Sequence, residues 1–292
     1  MSYARGSSRL WRWEGKTRSG SLFRWEIFPP CGYRVETPIP IFLIGPENWE
    51  ASHVFNPNAF PVPVRNLVFS CMDCLSMFIF SVNQVEPNIE RDRKQFLSKL
   101  RKNKAFYGFT PDPDKPCVVV YHNAKFLVAL HLVLYSVKSF LDVYAQLVSK
   151  LIVSNSTIFG FNKGTVDGKQ IEGGRLITWL TKSTPDTYTN ASTLAHVIRE
   201  HVFSWIKEAV NRRDKLIHHG EIPNLCPMMV PLYCEPHRVK ANHVILPQMP
   251  NGVDVVTYCR ETRNNLFQFI RETLVLLPDI DFSLVSLDEI NE

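Results

Sequence analysis

Residues 192–220 read STLAHVIREHVFSWIKEAVNRRDKLIHHG. Asn190 or Ser192 stands where a helix cap belongs, and Gly220 stands where a helix stops. Between them Leu194, Ile198, Val202, Ile206, Ala209, Leu216 and Ile217 recur at three- and four-residue steps, the period of an amphipathic helix. At about 100° per residue Arg213 falls on the same stripe, whereas Arg212, Asp214 and Lys215 fall off it. A guanidinium on an apolar face is costly unless it is paired or faces a polar cleft.

The end of this helix, Arg213-Asp214-Lys215-Leu216-Ile217-His218-His219-Gly220, gathers a guanidinium, a carboxylate and two imidazoles within two turns. Phosphodiester cleavage calls for such a set: a cation on the phosphate and a group that moves protons near neutral pH. Asp214 and His218 are four residues apart and share a face. The helix C-terminus favours a positive imidazole at His218 and His219. Arg213 and His218 project about 140° apart in an ideal helix. They meet on one phosphate only if the helix end loosens, the side chains curl or a second subunit completes the site. The competing reading pairs Arg213 with a buried acid such as Asp142 and makes the histidines a plain helix end.

Outward from this helix the chain reads as mostly helical. A helix over 123–152 carries Phe126, Leu130, Leu134, Val137, Leu141, Tyr144, Val148 and Ile152 as its stripe, with Asp142 on the flank. A glycine-rich stretch at 153–190 lacks the strand and long helix of a dinucleotide fingerprint and reads as loop or hairpin, with a short helix near 176–182. Asn251-Gly252 predicts the turn of a hairpin over 244–258. A last helix spans 260–277, before Pro278, and the acidic segment 279–292 follows as a tail.

The first 115 residues read as an α+β region of unassigned role. Strands and loops hold Trp11, Trp13, Trp25 and Trp49. Two helices follow, at about 66–82 and 88–106. The second is basic, and Lys99, Arg101, Lys102 and Lys104 are candidate RNA phosphate contacts, with a solvated face as the plainer account. Phe106, Tyr107 and Phe109 suit either base stacking or a core. The turn-rich segment 110–116 marks the expected boundary between residues 1–115 and a helical domain at 116–280, with 281–292 as the tail.

With 292 residues and 45% apolar side chains the chain supports a substantial core. A net charge of +5 is compatible with a nucleic-acid partner. No apolar signal segment follows the basic N-terminus, and the apolar run 67–82 is short for a membrane span. Seven cysteines, an odd number, fit a reducing cytoplasm. Cys71 and Cys74 have metal-ligand spacing, and Cys226, Cys234 and His237 could complete a zinc site. Their place in an apolar helical run favours core packing instead, so no metal or cofactor is expected.

Arg213-Asp214-x3-His218 resembles the R-[N/D]-x3-H signature of HEPN domains, a helical superfamily rich in ribonucleases of toxin–antitoxin, abortive-infection and CRISPR systems. The segment 139–148, SFLDVYAQLV, resembles their long first helix, the motif-bearing helix their third, and the helix from Arg260 their fourth. The resemblance covers about 117–280. It implies a helical bundle that dimerises with motif helices facing across a cleft, and metal-independent RNA cleavage by 2′-OH attack. By that analogy Arg213 holds the phosphate, His218 moves protons and Asp214 orients one of them, with His219 and Asp142 as supporting candidates. The implied partners are RNA, a second copy of the chain, and a cognate antitoxin or sensor protein. A non-catalytic nucleotide-binding or scaffold module of the same family is the alternative. Some HEPN toxins carry a modifiable tyrosine two positions after the histidine; here that position is Gly220.

Overall fold

The computed structural model describes residues 61–103, 124–219 and 238–277, Leu225, and backbone segments at 11–16, 22–27, 53–54, 117–120, 228–231 and 285–286. Among these, helices hold most residues and the strands form antiparallel pairs of two. The order is β1 (Trp11–Lys16), β2 (Leu22–Ile27), β3 (His53–Val54), α1 (Val62–Asn103), β4 (Cys117–Val120), α2 (Ala124–Ile152), β5 (Gly164–Val166), β6 (Lys169–Ile171), α3 (Gly174–Lys182), α4 (Ala191–His201), a π-helical turn (Val202–Ile206), α5 (Lys207–His219), β7 (Met228–Pro231), α6 (Val255–Leu274) and β8 (Val285–Ser286). β1 pairs with β2, β3 with β8, β4 with β7, and β5 with β6.

The two helices expected at 66–82 and 88–106 are one helix of 42 residues with Pro87 inside it. The proline removes one backbone donor, and the ring faces solvent, where water can serve the carbonyl left unpaired. The core face runs on across it through Val82, Val85 and Ile89. That continuity outweighs the missing hydrogen bond. α1 packs along α2 in the most extensive helix–helix contact of the fold. α2 lies at the centre, with Phe126, Leu130, Leu134, Phe140, Leu141 and Tyr144 fully buried. One continuous core extends from Val64 on α1 to Leu277 beyond α6. A second small core joins Leu97 and Leu100 of α1 to Met228, Val230, Val239 and Val244. By length and composition α1 and α2 could each cross a membrane; each gives about half of its apolar window to the interior.

The hairpin expected over 244–258 is a correction. Asn251-Gly252 does make a turn, with Gly252 at φ 81° and Met249 N–H bonded to Val253 O at 2.8 Å. Its second arm ends at once, because Asp254 caps a helix by accepting from Thr257 N–H at 3.0 Å. The last helix therefore begins at Val255, not Arg260. Its side chains Tyr258, Cys259, Thr262, Leu266, Phe269 and Ile270 are all buried, so burial at helical spacing decides against the strand. The glycine-rich stretch carries the β5–β6 hairpin and α3.

The motif helix is one rod with a wide turn. Lys207 N–H reaches Val202 O, an i→i+5 bond. There Trp205 Nε1–H donates to His201 Nδ1 at 2.9 Å, and His201 Nε2 meets Glu272 Oε2 of α6 at 2.8 Å. An indole only donates, so Nδ1 accepts and the ring proton sits on Nε2, facing the carboxylate.

Candidate functional site

The motif helix is covered on two sides, and this corrects the single-stripe reading. Arg212 is the buried arginine, 8% exposed, bonded to Glu208 one turn earlier and stacked over the Tyr258 ring of α6 at 5.1 Å. Arg213 is half-buried on the side toward α2. Ile217, placed on the stripe by spacing, is exposed.

Arg213 and Asp214 line a polar cleft of about 540 Å³. Nη1 of Arg213 donates to Oδ1 of Asp214 at 2.7 Å, while its Nε is buried without a partner among the described residues. α2 supplies Lys138 and Asp142, four residues apart and bonded to each other. Asp142 also accepts from Phe161 N–H at 2.8 Å, and Lys138 donates to Phe161 O at 3.2 Å. The pair thus holds both backbone groups of the loop residue Phe161. The competing Arg213–Asp142 pair is not formed: both line the cleft, each with another partner.

The far wall comes from residues 161–175. Lys163 precedes β5 and Glu172 follows β6, and their charged ends lie 3.1 Å apart. Contact with Glu172 holds the Lys163 ammonium above its ordinary pKa. Arg175, on the first turn of α3, completes the wall and has no side-chain partner among the described residues. Glycines allow this wall to close. A Cβ on Gly174 would stand 2.3 Å from Gly164 O, and one on Gly173, at φ 66°, would stand 2.3 Å from the Phe161 ring. Spacing pointed to none of Lys138, Lys163, Glu172 and Arg175; the Lys138–Asp142 step of four on the long helix was the one signal available.

Lys138, Lys163, Arg175 and Arg213 outnumber Asp142, Glu172 and Asp214 by one. The formal charge of the lining is therefore +1, a balance that favours an anion over a cation. His218 is exposed and does not line it, and Asp214 faces Arg213. The side chain of His219 lies outside the described residues, as does Gly220. Lys99, Arg101 and Lys102 are exposed at the end of α1 and do not line the cleft; Lys104 lies outside the described residues.

The chain matches no family model, no curated protein and no solved structure.

Cys71 and Cys259 are buried free thiols and Cys74 is half-buried. Burial raises all three pKa values, that of Cys259 to about 12. Among the described residues no three His, Cys, Asp or Glu side chains come together as a metal site would require. Cys226, Cys234 and His237 lie outside those residues, as do Trp49, the 106–109 aromatics, the 110–116 turn and the 279–284 and 287–292 parts of the tail.

Proposed function

We propose that this protein is a HEPN-type endoribonuclease that works as a homodimer and cuts RNA without a metal. The observation that carries the reading is the Arg213–Asp214 pair of the R-[N/D]-x3-H motif, set in a polar cleft with one surplus cation. Arg213 would hold a non-bridging phosphate oxygen, helped by Arg175 and Lys163. Charge-assisted bidentate contact is what a guanidinium gives a phosphate. The ribose 2′-oxygen attacks phosphorus, the P–O5′ bond breaks, and the products are a 2′,3′-cyclic phosphate and a 5′-OH. His218 protonates the leaving oxygen. Its exposure on the outer side of α5 suits a dimer in which the motif helices face each other, each histidine serving a cleft shared with the partner subunit. In this reading the protein acts in the cytoplasm as a toxin or antiphage-defence effector, under the control of a cognate antitoxin or sensor protein.

The test is incubation of purified protein with total RNA in EDTA, beside Arg213→Ala and His218→Ala. Cleavage by wild type alone, with cyclic phosphate ends, supports the reading. Equal cleavage by Arg213→Ala, or none by a folded wild-type dimer, overturns it. A second reading, a non-catalytic nucleotide-binding or scaffold module, is favoured by one observation: His218 does not line the cleft of its own protomer. It predicts Arg213-dependent nucleotide binding without cleavage.

A further inference from the structure

Beyond Pro87 the outer side of α1 is a row of cations. Arg91, Lys94, Lys99, Arg101 and Lys102 are all exposed. At about 100° per residue they fall within about 160° of arc. Leu97 and Leu100 face the other way, into the second small core. The acids of this stretch are committed. Glu90 pairs with Arg93 at 2.5 Å, and Asp92 is buried. Among the described residues no acid pairs with Lys94, Lys99, Arg101 or Lys102.

The second core adds to this row. Val239 and Val244 join Leu97 and Leu100 in it. Arg238 and Lys240, on either side of Val239, are exposed, and the segment 238–252 contains no acid. Two stretches far apart in the chain thus bring like charge to one end of α1. Like charges gathered in this way repel, and a polyanion relieves the repulsion.

This end of α1 is remote from the cleft. Burial, then the carboxylates of Asp73 and Asp142, raise the pKa of the Cys74 thiol, so Cys74 stands level with the cleft residue Asp142. Lys94 to Lys102 lie about 20 to 28 residues further along the same helix, roughly 30–42 Å at the usual helical rise. The row from Arg91 to Lys102 is itself about 16 Å long, the length of about five phosphates in a stacked strand.

We infer that the basic end of α1, with Arg238 and Lys240, is a second RNA-binding surface that holds the strand away from the cleft. The inference rests on the ribonuclease reading for the choice of RNA as the polyanion. An anionic bilayer fits less well. A helix lying on lipid buries an apolar face there, whereas the apolar face of this stretch is given to the second core. No large apolar side chain is exposed on α1 beyond Pro87 among the described residues. At about 3.4 Å per stacked nucleotide, about ten nucleotides bridge the surface and the cleft. A strand held at both places gains affinity from the link between them, and a strand too short to bridge gains none.

The experiment measures binding by fluorescence anisotropy across a range of salt for wild type and Lys94→Gln/Lys99→Gln/Arg101→Gln/Lys102→Gln, with circular dichroism as the check on folding. The probes are 2′-O-methyl RNAs of about 30 and about four nucleotides, which cannot undergo 2′-OH attack, and anionic phospholipid vesicles. Expected is a wild type that binds the long RNA about tenfold or more tighter than the short one, and a quadruple variant that loses this preference. At about 0.7 per phosphate contact, the slope of log affinity against log salt should be shallower by about 2–3 in the variant. Unchanged affinity and slope in the folded quadruple variant overturn the inference and leave a solvated face. Binding of wild type to the vesicles and not to RNA overturns it in favour of a membrane surface. If the quadruple variant fails to fold, Arg101→Gln/Lys102→Gln decides: a slope shallower by about 1–1.5 supports the surface, and an unchanged slope overturns it. The ribonuclease reading fails separately. Long RNA bound through α1, with unmodified RNA left uncut by wild type, brings down that reading and leaves the surface standing.

Discussion

Replacing Lys138 by methionine should loosen the cleft from its central helix, and the size of the effect follows from what the lysine holds. Lys138 is 7% exposed, and its ammonium reaches both Asp142 and Phe161 O. Its loss leaves Asp142 with Phe161 N–H as its remaining donor and leaves Phe161 O bare. Breaking a buried pair from one side costs about 3–5 kcal/mol. The Asp142 side chain is 32% exposed, so water recovers part of the loss and about 2–3 kcal/mol is expected. At roughly 2–4 °C per kcal/mol the variant melts about 5–10 °C low. Asp142→Leu should cost slightly more, about 3–4 kcal/mol, because it strands an ammonium 9% exposed and frees Phe161 N–H. In Lys138→Met/Asp142→Leu neither charge is stranded, and the double variant should be less damaged than the sum by about 2 kcal/mol. Urea denaturation followed by circular dichroism measures all three. Costs that add within about 0.5 kcal/mol would mean that the two groups act independently, and the account of a shared clamp on Phe161 would fail.

Gly173→Ala forces a Cβ to within 2.3 Å of the Phe161 ring at a left-handed backbone position. Strain and displacement together should cost about 2–4 kcal/mol and disturb the cleft, seen as a lower melting temperature with weaker RNA binding. Glu272 gives a pH dependence with a definite sign. Burial raises its pKa, but bonds from Gln268 and His201 outweigh burial and hold it below the ordinary 4.5. A depressed carboxyl contributes stability above its unfolded pKa and loses it as pH falls through the folded value. Stability should thus fall below about pH 4.5, and Glu272→Gln should flatten that part of the urea midpoint curve; an unchanged curve would refute the linkage.

The long helices were legible because each repeats a core residue every three or four positions over many turns, as α2 does from Phe126 to Val148. Where punctuation competed with periodicity, punctuation misled. The helices expected at 66–82 and 88–106 run as one, because Pro87 costs one hydrogen bond on a solvent face while core contacts continue beneath it. Asn251-Gly252 read as a hairpin centre, yet Asp254 caps a helix three residues past Asn251. Arg213 was legible as a site residue, but its neighbours were not. Lys163, Glu172 and Arg175 meet it through a glycine-lined hairpin and a helix start, contacts between residues some forty positions apart that no local pattern encodes. The same distance hid the choice between Arg212 and Arg213, which turns on Tyr258 covering the other side of the helix.

The cleft draws its walls from residues 138–142, 161–175 and 213–214. Contacts of such separation form after local helices do, and a chain made from its N-terminus folds in that order during synthesis. A chain made as far as residue 175 holds the lysine and aspartate of α2 and the hairpin wall while Arg213 is still unmade. The cleft is therefore a late product of chain growth, closed only when α5 docks on walls that were made before it.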